Sequence, residues 1–191
     1  MRRHVLRSDT DDREFFTRFR ATLPKLQERT GLRFVSGQHE DVSDNVRRFP
    51  FVESEKHGTL TILEDLDTST RWLEIAGDSE EFERNVDDAI LLFVEIAPLR
   101  QLRGEARKNA DDIALKRLAR GAGERADAET MEILTSCLSS SNPSRVHDAA
   151  EAATILRWSE LVPALDAAAS IKRTSRVKHA LRAALAACTR T

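Results

Sequence analysis

The sequence predicts an α+β unit followed by an all-helical one, and three observations carry that reading. The 191 residues divide by composition: all eight phenylalanines lie before residue 94, and the rest of the chain fills its apolar positions with Ala and Leu. The strand-like stretches all fall in the first half, which is the order expected of sheet and helices followed by helices alone. The second half repeats itself, with Ser144-Arg145-Val146 returning as Ser175-Arg176-Val177. The composition shift places the division near residue 108, giving units 1–108 and 109–191.

In the first unit Arg3 to Arg7 reads as a short strand. Ser8, Asp9 or Thr10 can cap a helix starting near Asp11, with Asp11, Asp12 and Glu14 against its positive end. Phe15, Phe19, Leu23 and Leu26 mark its buried face, Pro24 must kink or divide it, and Gly31 suits its end. Leu32 to Ser36 is a strand, and residues 37–47 read as a polar loop. Phe49-Pro50-Phe51-Val52 is a strand expected at an edge because of its proline. Gly58 to Leu63 alternates polar and apolar, Asp67-Thr68-Ser69 turns, and Thr70 to Ala76 returns, making a hairpin. A helix begins near Ser79 with the stripe Phe82, Val86, Ala89, Ile90 and Phe93. Leaving out the proline-bearing stretch, the order is β-α-β-β-β-α. The helical pattern runs from Phe82 to about Lys108, broken only at Pro98, which suggests two parts sharing one core without a flexible linker.

The repeat of the second unit has an offset of 31 residues, and six of the thirteen positions from 144 to 156 are identical to those 31 residues on. The offset also works backwards: Val146 falls on Leu115, Ala149 on Leu118, Ala150 on Ala119, and between them Val162 on Met131, Leu165 on Leu134 and Ala168 on Cys137. The unit is thus a helix pair seen two and a half times. Small residues in the first helix allow close approach, and one pair cannot cover its own apolar face, so neighbours must stack. The stretch from Pro143 to Ala153, with Leu161-Val162-Pro163-Ala164-Leu165, resembles HEAT repeats in their short bacterial form. The resemblance covers about residues 110–189 and implies a short all-α HEAT-like solenoid, with the first unit as its N-terminal cap. It implies a surface for protein contacts and brings no catalytic residue.

The net charge of −2 argues against a surface that grips nucleic acid everywhere. Charge is unevenly placed, with residues 53–95 at −10 and residues 172–191 at +6. The basic end, Arg173, Arg176, Lys178 and Arg182, together with Arg145, is the candidate binding surface. Arg145, Arg176 and Arg182 are expected on one side of the stacked first helices. Trp72 alternates with Leu73 and so faces away from it: either the sheet is covered on both sides, or Trp72 is an exposed anchor.

Catalytic and metal motifs are absent: there is no H-E-x-x-H, C-x-x-C, G-x-S-x-G or glycine-rich phosphate loop, and no tyrosine. His39-Glu40-Asp41 is the tightest polar triplet, but adjacent residues of an extended segment point to opposite sides. His57 with Glu53 and Glu55 reads as a solvated turn. Cys137 and Cys188 read as reduced core residues. No cofactor or metal is implied. The longest apolar run, Ala89 to Ala97, holds nine residues where a membrane span needs about 20, and the arginines of the N-terminus are not followed by an apolar stretch, so the chain reads as cytoplasmic.

The reading is a non-enzymatic protein-binding module, such as an adaptor or an inhibitor of the immunity-protein type, with 24 Arg against 6 Lys fitting a bacterial source of high GC content. Alternatives are a nucleic-acid binder using the basic C-terminal helix and an enzyme with a site in the loop around His39. The sequence leaves the partner and the oligomeric state open.

Overall fold

The computed structural model describes residues 1–7 and 11–190, so Ser8, Asp9 and Thr10 lie outside the described residues. The chain divides into two compact units, Met1–Ala97 and Pro98–Thr191. The division falls at Pro98 rather than near residue 108 because the helical pattern after Phe82 is interrupted. One helix ends at Ile90, residues 91–97 turn and run beside the first strand, and a new helix starts at Leu99.

The first unit runs β1 (Arg2–Val5), α1 (Asp12–Thr30), β2 (Phe34–Ser36), β3 (Glu40–Ser43), β4 (Val46–Glu53), β5 (Gly58–Asp65), β6 (Thr70–Gly77) and α2 (Glu80–Ile90). All pairings are antiparallel, in the order β1-β6-β5-β4-β2, with β3 beside β4. The α+β class and the β5–β6 hairpin follow the sequence. The strand count does not: residues 40–43 pair as β3 where a polar loop is expected, and the order is β-α-β-β-β-β-β-α. Hydropathy misses β3 because all four of its residues are exposed. Its pairing leans on cross-strand contacts between unlike charges, Glu40–Arg48 at 3.6 Å and Asp41–Arg47 at 3.8 Å.

Pro50 lies on an interior strand, not an edge. A residue's N and O point to the same side of a strand, and Pro50 O accepts from Gly37 N at 2.8 Å. Its missing N–H therefore faces residues 37–39, between β2 and β3, where no ladder bond is needed. Pro24 neither divides α1 nor ends it; the helix is one element from Asp12 to Thr30. Asp11 caps that helix through Glu14 N at 2.9 Å, and Gly31, with φ of 74°, ends it.

Helices α1 and α2 cover one face of the sheet. Phe15, Phe19 and Leu26 from α1 and Phe82, Val86 and Ile90 from α2 meet Phe51, Leu60, Ile62, Leu73 and Ile75. Ser79 caps α2 by accepting from Phe82 N. That cap sets Phe82 over the ends of β5 and β6. A Cβ on Gly77 would come within 2.2 Å of the Phe82 ring, and one on Gly58 within 2.3 Å. Asp87 of α2 is buried and takes Arg2 Nη1 at 2.9 Å and His4 Nε2 at 2.5 Å, tying the helix to β1. Burial works to raise the Asp87 carboxyl, but His4 and Arg2 outweigh it and hold it below its ordinary 3.8.

The second unit is a run of helix pairs: α3 (Leu99–Asn109) with α4 (Asp112–Gly121), α5 (Ala128–Leu138) with α6 (Pro143–Leu156), and α7 (Val162–Ser170) with α8 (Ser175–Cys188). Helix α4 packs on α6 and α6 on α8; α3 packs on α5 and α5 on α7. The 31-residue spacing is carried by burial. Leu115, Val146 and Val177 are buried, as are Leu118, Ala149 and Ala180, then Ala119, Ala150 and Leu181, then Ala122, Ala153 and Ala184. In the other helices Ala106, Cys137 and Ala168 keep the same spacing. Helix α3 thus joins the pattern that the sequence starts at α4.

Two outcomes follow. Gly77→Ala forces the Phe82 ring out of its seat and should cost about 1–3 kcal/mol in chemical denaturation, whereas Gly104→Ala, which meets open space, should not destabilise. Asp87→Asn should cost about 1–3 kcal/mol at pH 7. Because the folded carboxyl sits below its ordinary value, its stabilisation is complete above 3.8 and is lost as pH falls through the folded value. The gap between wild type and Asp87→Asn should therefore close on acidification below 3.8; a gap that persists at pH 2 would reject the charge as its source.

Candidate functional site: the cleft and cations of the α6 and α8 helices

Helices α6 and α8 start side by side. Asn142 caps α6 by accepting from Ser144 N at 3.0 Å, and Pro143 takes the first turn, where its missing N–H costs nothing. Thr174 caps α8 by accepting from Val177 N. Between the two starts lies a cleft of about 190 Å³ lined by Pro143, Ser144, His147, Asp148, Thr174, Arg176 and Val177.

His147 is 9% exposed and organises the cleft. Arg176 Nε donates to its Nε2 at 3.2 Å. That bond leaves the ring proton on Nδ1, which faces Asp148 Oδ1 at 3.2 Å. Burial raises the Asp148 carboxyl, aided by Asp112 and Glu151 and opposed by His147, so it sits above its ordinary value. Glu151 Oε1 lies 3.6 Å from His147 Nε2, and its other oxygen takes Lys116 Nζ at 2.9 Å. Lys116 also binds Asp112. Burial works to lower the Lys116 ammonium, but Glu151 and Asp112 outweigh it and raise it. A chain of polar contacts thus runs from α4 through α6 to α8.

The cations of this unit fall into two groups. On α3 and α4 four of them are ion-paired: Arg103 with Asp127 and Glu129, Arg107 with Glu129 and Glu132, Lys116 with Asp112 and Glu151, and Arg117 with Glu105. Arg100 and Lys108 of α3 make no ion pair with the described residues. On α6 and α8, Arg145, Lys178 and Arg182 are exposed and make no hydrogen bond or ion pair with the described residues. Arg176 spends only Nε, leaving both Nη groups without a partner.

The positions of Arg145 and Arg176 oppose local electrostatics. A helix N-terminus is positive and favours acids. Helices α1, α2, α4 and α5 follow that rule with Asp or Glu in the first turn. Helices α6 and α8 have no first-turn acid and carry arginine there, 31 residues apart at the same point of the repeat. Helix α3, with Arg100, is the other such helix.

Of the residues that the sequence singles out, Arg145, Lys178 and Arg182 are on this surface, and Arg176 is in the cleft. Arg173 is half-buried; its Nη1 donates to Ser140 O at 3.1 Å, so it fastens the α5–α6 turn to the loop before α8. Trp72 is not an exposed anchor. It is 1% exposed, it faces away from Leu73 as alternation requires, and its Nε1 donates to Glu74 at 3.1 Å. Val5, paired with it across β1 and β6, is equally buried. The sequence reading passes over His147, Asp148, Ser144 and Thr174. The usable signal is the repeat itself, which aligns Lys116, His147 and Lys178 at successive 31-residue steps.

The other polar groups do not converge. His39 is exposed and its ring stacks on Phe49 with centroids 6.1 Å apart, while Glu40 and Asp41 turn to separate arginines. His57 Nδ1 meets Asp78 at 2.9 Å and its Nε2 lies 3.4 Å from Glu55; the bond to Asp78 raises its pKa. Burial works to raise Glu53, but the amides of His57 and Glu55 outweigh it and lower it, which is the chemistry of a capped turn. Cys137 and Cys188 are buried thiols outside any disulfide, and Cys188 Sγ donates to Ala153 O at 3.6 Å; burial pushes both up, Cys188 to about 11. Among the described residues no three His, Cys, Asp or Glu are grouped to hold a metal, and no helix is long and apolar enough to cross a membrane.

Compared with known proteins, the chain matches no protein-family model, no curated protein and no solved structure.

If Arg145 opposes the α6 terminus, Arg145→Glu should raise the stability of the protein by about 0.5 kcal/mol, read as a higher denaturation midpoint at low salt that fades as salt is added. A lower midpoint would show that Arg145 stabilises the fold.

Proposed function

We propose that the chain is a non-enzymatic binding module whose α6–α8 surface docks on an acidic surface of another protein, in the manner of an adaptor or an inhibitor of the immunity-protein type. The observation that carries this is the group of cations Arg145, Arg176, Lys178 and Arg182. They lie without an ion pair, whereas Arg103, Arg107, Lys116 and Arg117 of α3 and α4 are each paired with acids of the same unit. A HEAT-like reading of residues 110–189 fits it: burial repeats at 31 residues and α4, α6 and α8 pack in sequence, the arrangement by which helical repeats present one extended surface.

A protein partner is favoured over nucleic acid by the shortage of stacking groups. From Pro98 onward the only Phe, Tyr or Trp is Trp158, which is buried with its Nε1 on Gly123 O at 3.1 Å. A role as a general base is disfavoured for His147, because both ring nitrogens are engaged.

The test is capture of the partner by the full chain after nuclease treatment, at two salt concentrations, followed by affinity measurement with purified components. A protein should be retained after nuclease, its affinity should weaken as salt rises, and Lys178→Glu with Arg182→Glu should reduce it by roughly tenfold or more. Capture of nucleic acid alone, or an affinity indifferent to the double reversal, would overturn the proposal.

A further inference from the structure

We infer that the cleft between the starts of α6 and α8 is a receptor for a single carboxylate side chain, Asp or Glu, presented by the docking partner. The inference rests on the docking reading above and adds the anchor point to it.

The argument starts from Arg176. A guanidinium offers five N–H groups along two edges and an end. In the cleft Nε is spent on His147 Nε2, and the terminal Nη1 and Nη2 groups make no hydrogen bond or ion pair with the described residues. Those two groups are the parallel pair that matches the two oxygens of a carboxylate. His147 is the clamp. It is 9% exposed, and its Nδ1–H is engaged by Asp148, so Nε2 is kept as an acceptor aimed at Arg176. An arginine held this way gives up less conformational freedom on binding than a free surface arginine.

The walls supply further donors. The Ser144 hydroxyl makes no hydrogen bond, and the Thr174 hydroxyl accepts from Val177 N while its own proton is unspent. The volume of about 190 Å³ suits a side chain rather than a cofactor.

The position of Arg176 is the independent observation. A cation in the first turn of α8 works against the helix, and no acid of the described residues pairs with it to relieve the conflict. A bound anion relieves it. Sites where a local rule is broken without a compensating contact are where function is expected.

The charges facing the cleft choose the anion. Arg176 brings one positive charge, Asp148 one carboxylate, and Glu151 lies 3.6 Å from His147 Nε2. Burial, Asp112 and Glu151 already raise Asp148 against the opposing effect of His147. A phosphate dianion would add two charges to this surrounding, whereas a carboxylate adds one and meets the planar fork of Arg176. The geometry therefore favours Asp or Glu over a phosphorylated residue.

The test uses the full chain with three blocked tripeptides, acetyl-Gly-Glu-Gly-amide and its Gln and phosphoserine counterparts. The readout is the NMR shift of the Arg176 side-chain Nε–H and of the His147 ring. The Glu peptide should shift both with a saturating curve, the Gln peptide should shift neither, and the phosphoserine peptide should bind more weakly than Glu. Arg176→Gln should weaken the Glu peptide by roughly ten- to hundredfold, the loss of charge-assisted hydrogen bonds. Arg176→Lys should lose most of the binding too, because an ammonium offers no fork. Amide spectra away from the cleft serve as the check on folding of each variant, and His147→Gln, which keeps an acceptor, should retain more binding than His147→Leu. Equal shifts from Glu and Gln, a Glu titration unchanged in Arg176→Gln, or tighter binding of phosphoserine would each overturn the assignment. The two readings fail separately. A silent Glu peptide, with partner affinity still lost on Lys178→Glu with Arg182→Glu, removes the cleft and leaves the docking surface. A saturating Glu peptide, with partner affinity indifferent to that reversal, removes the docking surface.

Discussion

The second unit depends on how closely α6 can approach the helices on either side of it, and alanine sets that distance. Ala149, Ala150, Ala152 and Ala153 are all fully buried, facing α4, α5 or α8. Alanine has no side-chain entropy to lose and a short radius, so two such helices can approach closely. Larger side chains here would push α8 outward and with it Thr174 and Arg176. The bond from Arg176 Nε to His147 Nε2 spans 3.2 Å between two helices, so a shift of one ångström breaks it. The polar geometry of the cleft is thus a consequence of apolar packing below it. Leu115, Leu118, Leu134, Leu156, Leu161 and Leu165 fill the space that the alanines leave.

The first unit solves its packing by the opposite means, with large rings against a sheet. Phe19 meets Phe51 at 5.2 Å between centroids, Phe16 meets Phe49 at 4.3 Å, and Phe34 meets Phe82 at 6.4 Å. At the end of this aromatic layer sits a line of alternating charge. Asp41, Arg47, Glu64 and Arg71 are paired in register across β3, β4, β5 and β6. Arg71 and Glu64 are both buried and meet at 2.8 Å, and Arg71 also binds Asp12 and lies over the Phe15 ring at 4.5 Å. Buried pairs of this kind give little net stability but are costly to break, so they fix which strand lies beside which. The start of α1 is held to β6 by that arginine, and its length by Phe15, Phe19 and Leu26.

What was legible in the sequence followed local chemistry. Gly31 as a helix end, a helix start near Ser79, the β5–β6 hairpin and the 31-residue spacing each depend on residues close in the chain or on strict periodicity. The failures share a cause, which is dependence on a neighbour distant in sequence. β3 has no buried side chain, so no hydrophobic alternation marks it; its partner on β4 does. Pro50 looks like an edge residue unless one knows that its blank N–H faces the interval between β2 and β3. Trp72 can be placed on the far face by alternation, but whether that face is buried is a tertiary fact. The candidate site shows the same split. The basic residues of α8 are visible as a charge run, while the role of His147 needs the 29-residue step to Arg176.

Stability and charge placement in the helical unit pull in different directions, and where they conflict is informative. On α3 and α4 the chain pairs four of its cations: Glu129 serves both Arg103 and Arg107, Glu151 reaches back from α6 to Lys116, and Glu105 lies beside Arg117. Pairing at partly exposed sites adds little energy, so its value lies in removing free charge from that surface. On α6 and α8 the same chain leaves Arg145, Lys178 and Arg182 without an ion pair and, as it does with Arg100 on α3, sets arginine in the first helical turn. A fold selected only for stability would exchange those residues for acids, at no cost to packing because all three bare side chains are exposed. Arg145 and Arg176 recur at one point of the repeat, whereas Arg182 stands where the preceding repeat has Glu151, so the exposed charge of α8 is a feature of that helix, on a layer whose spacing is fixed by the alanines beneath.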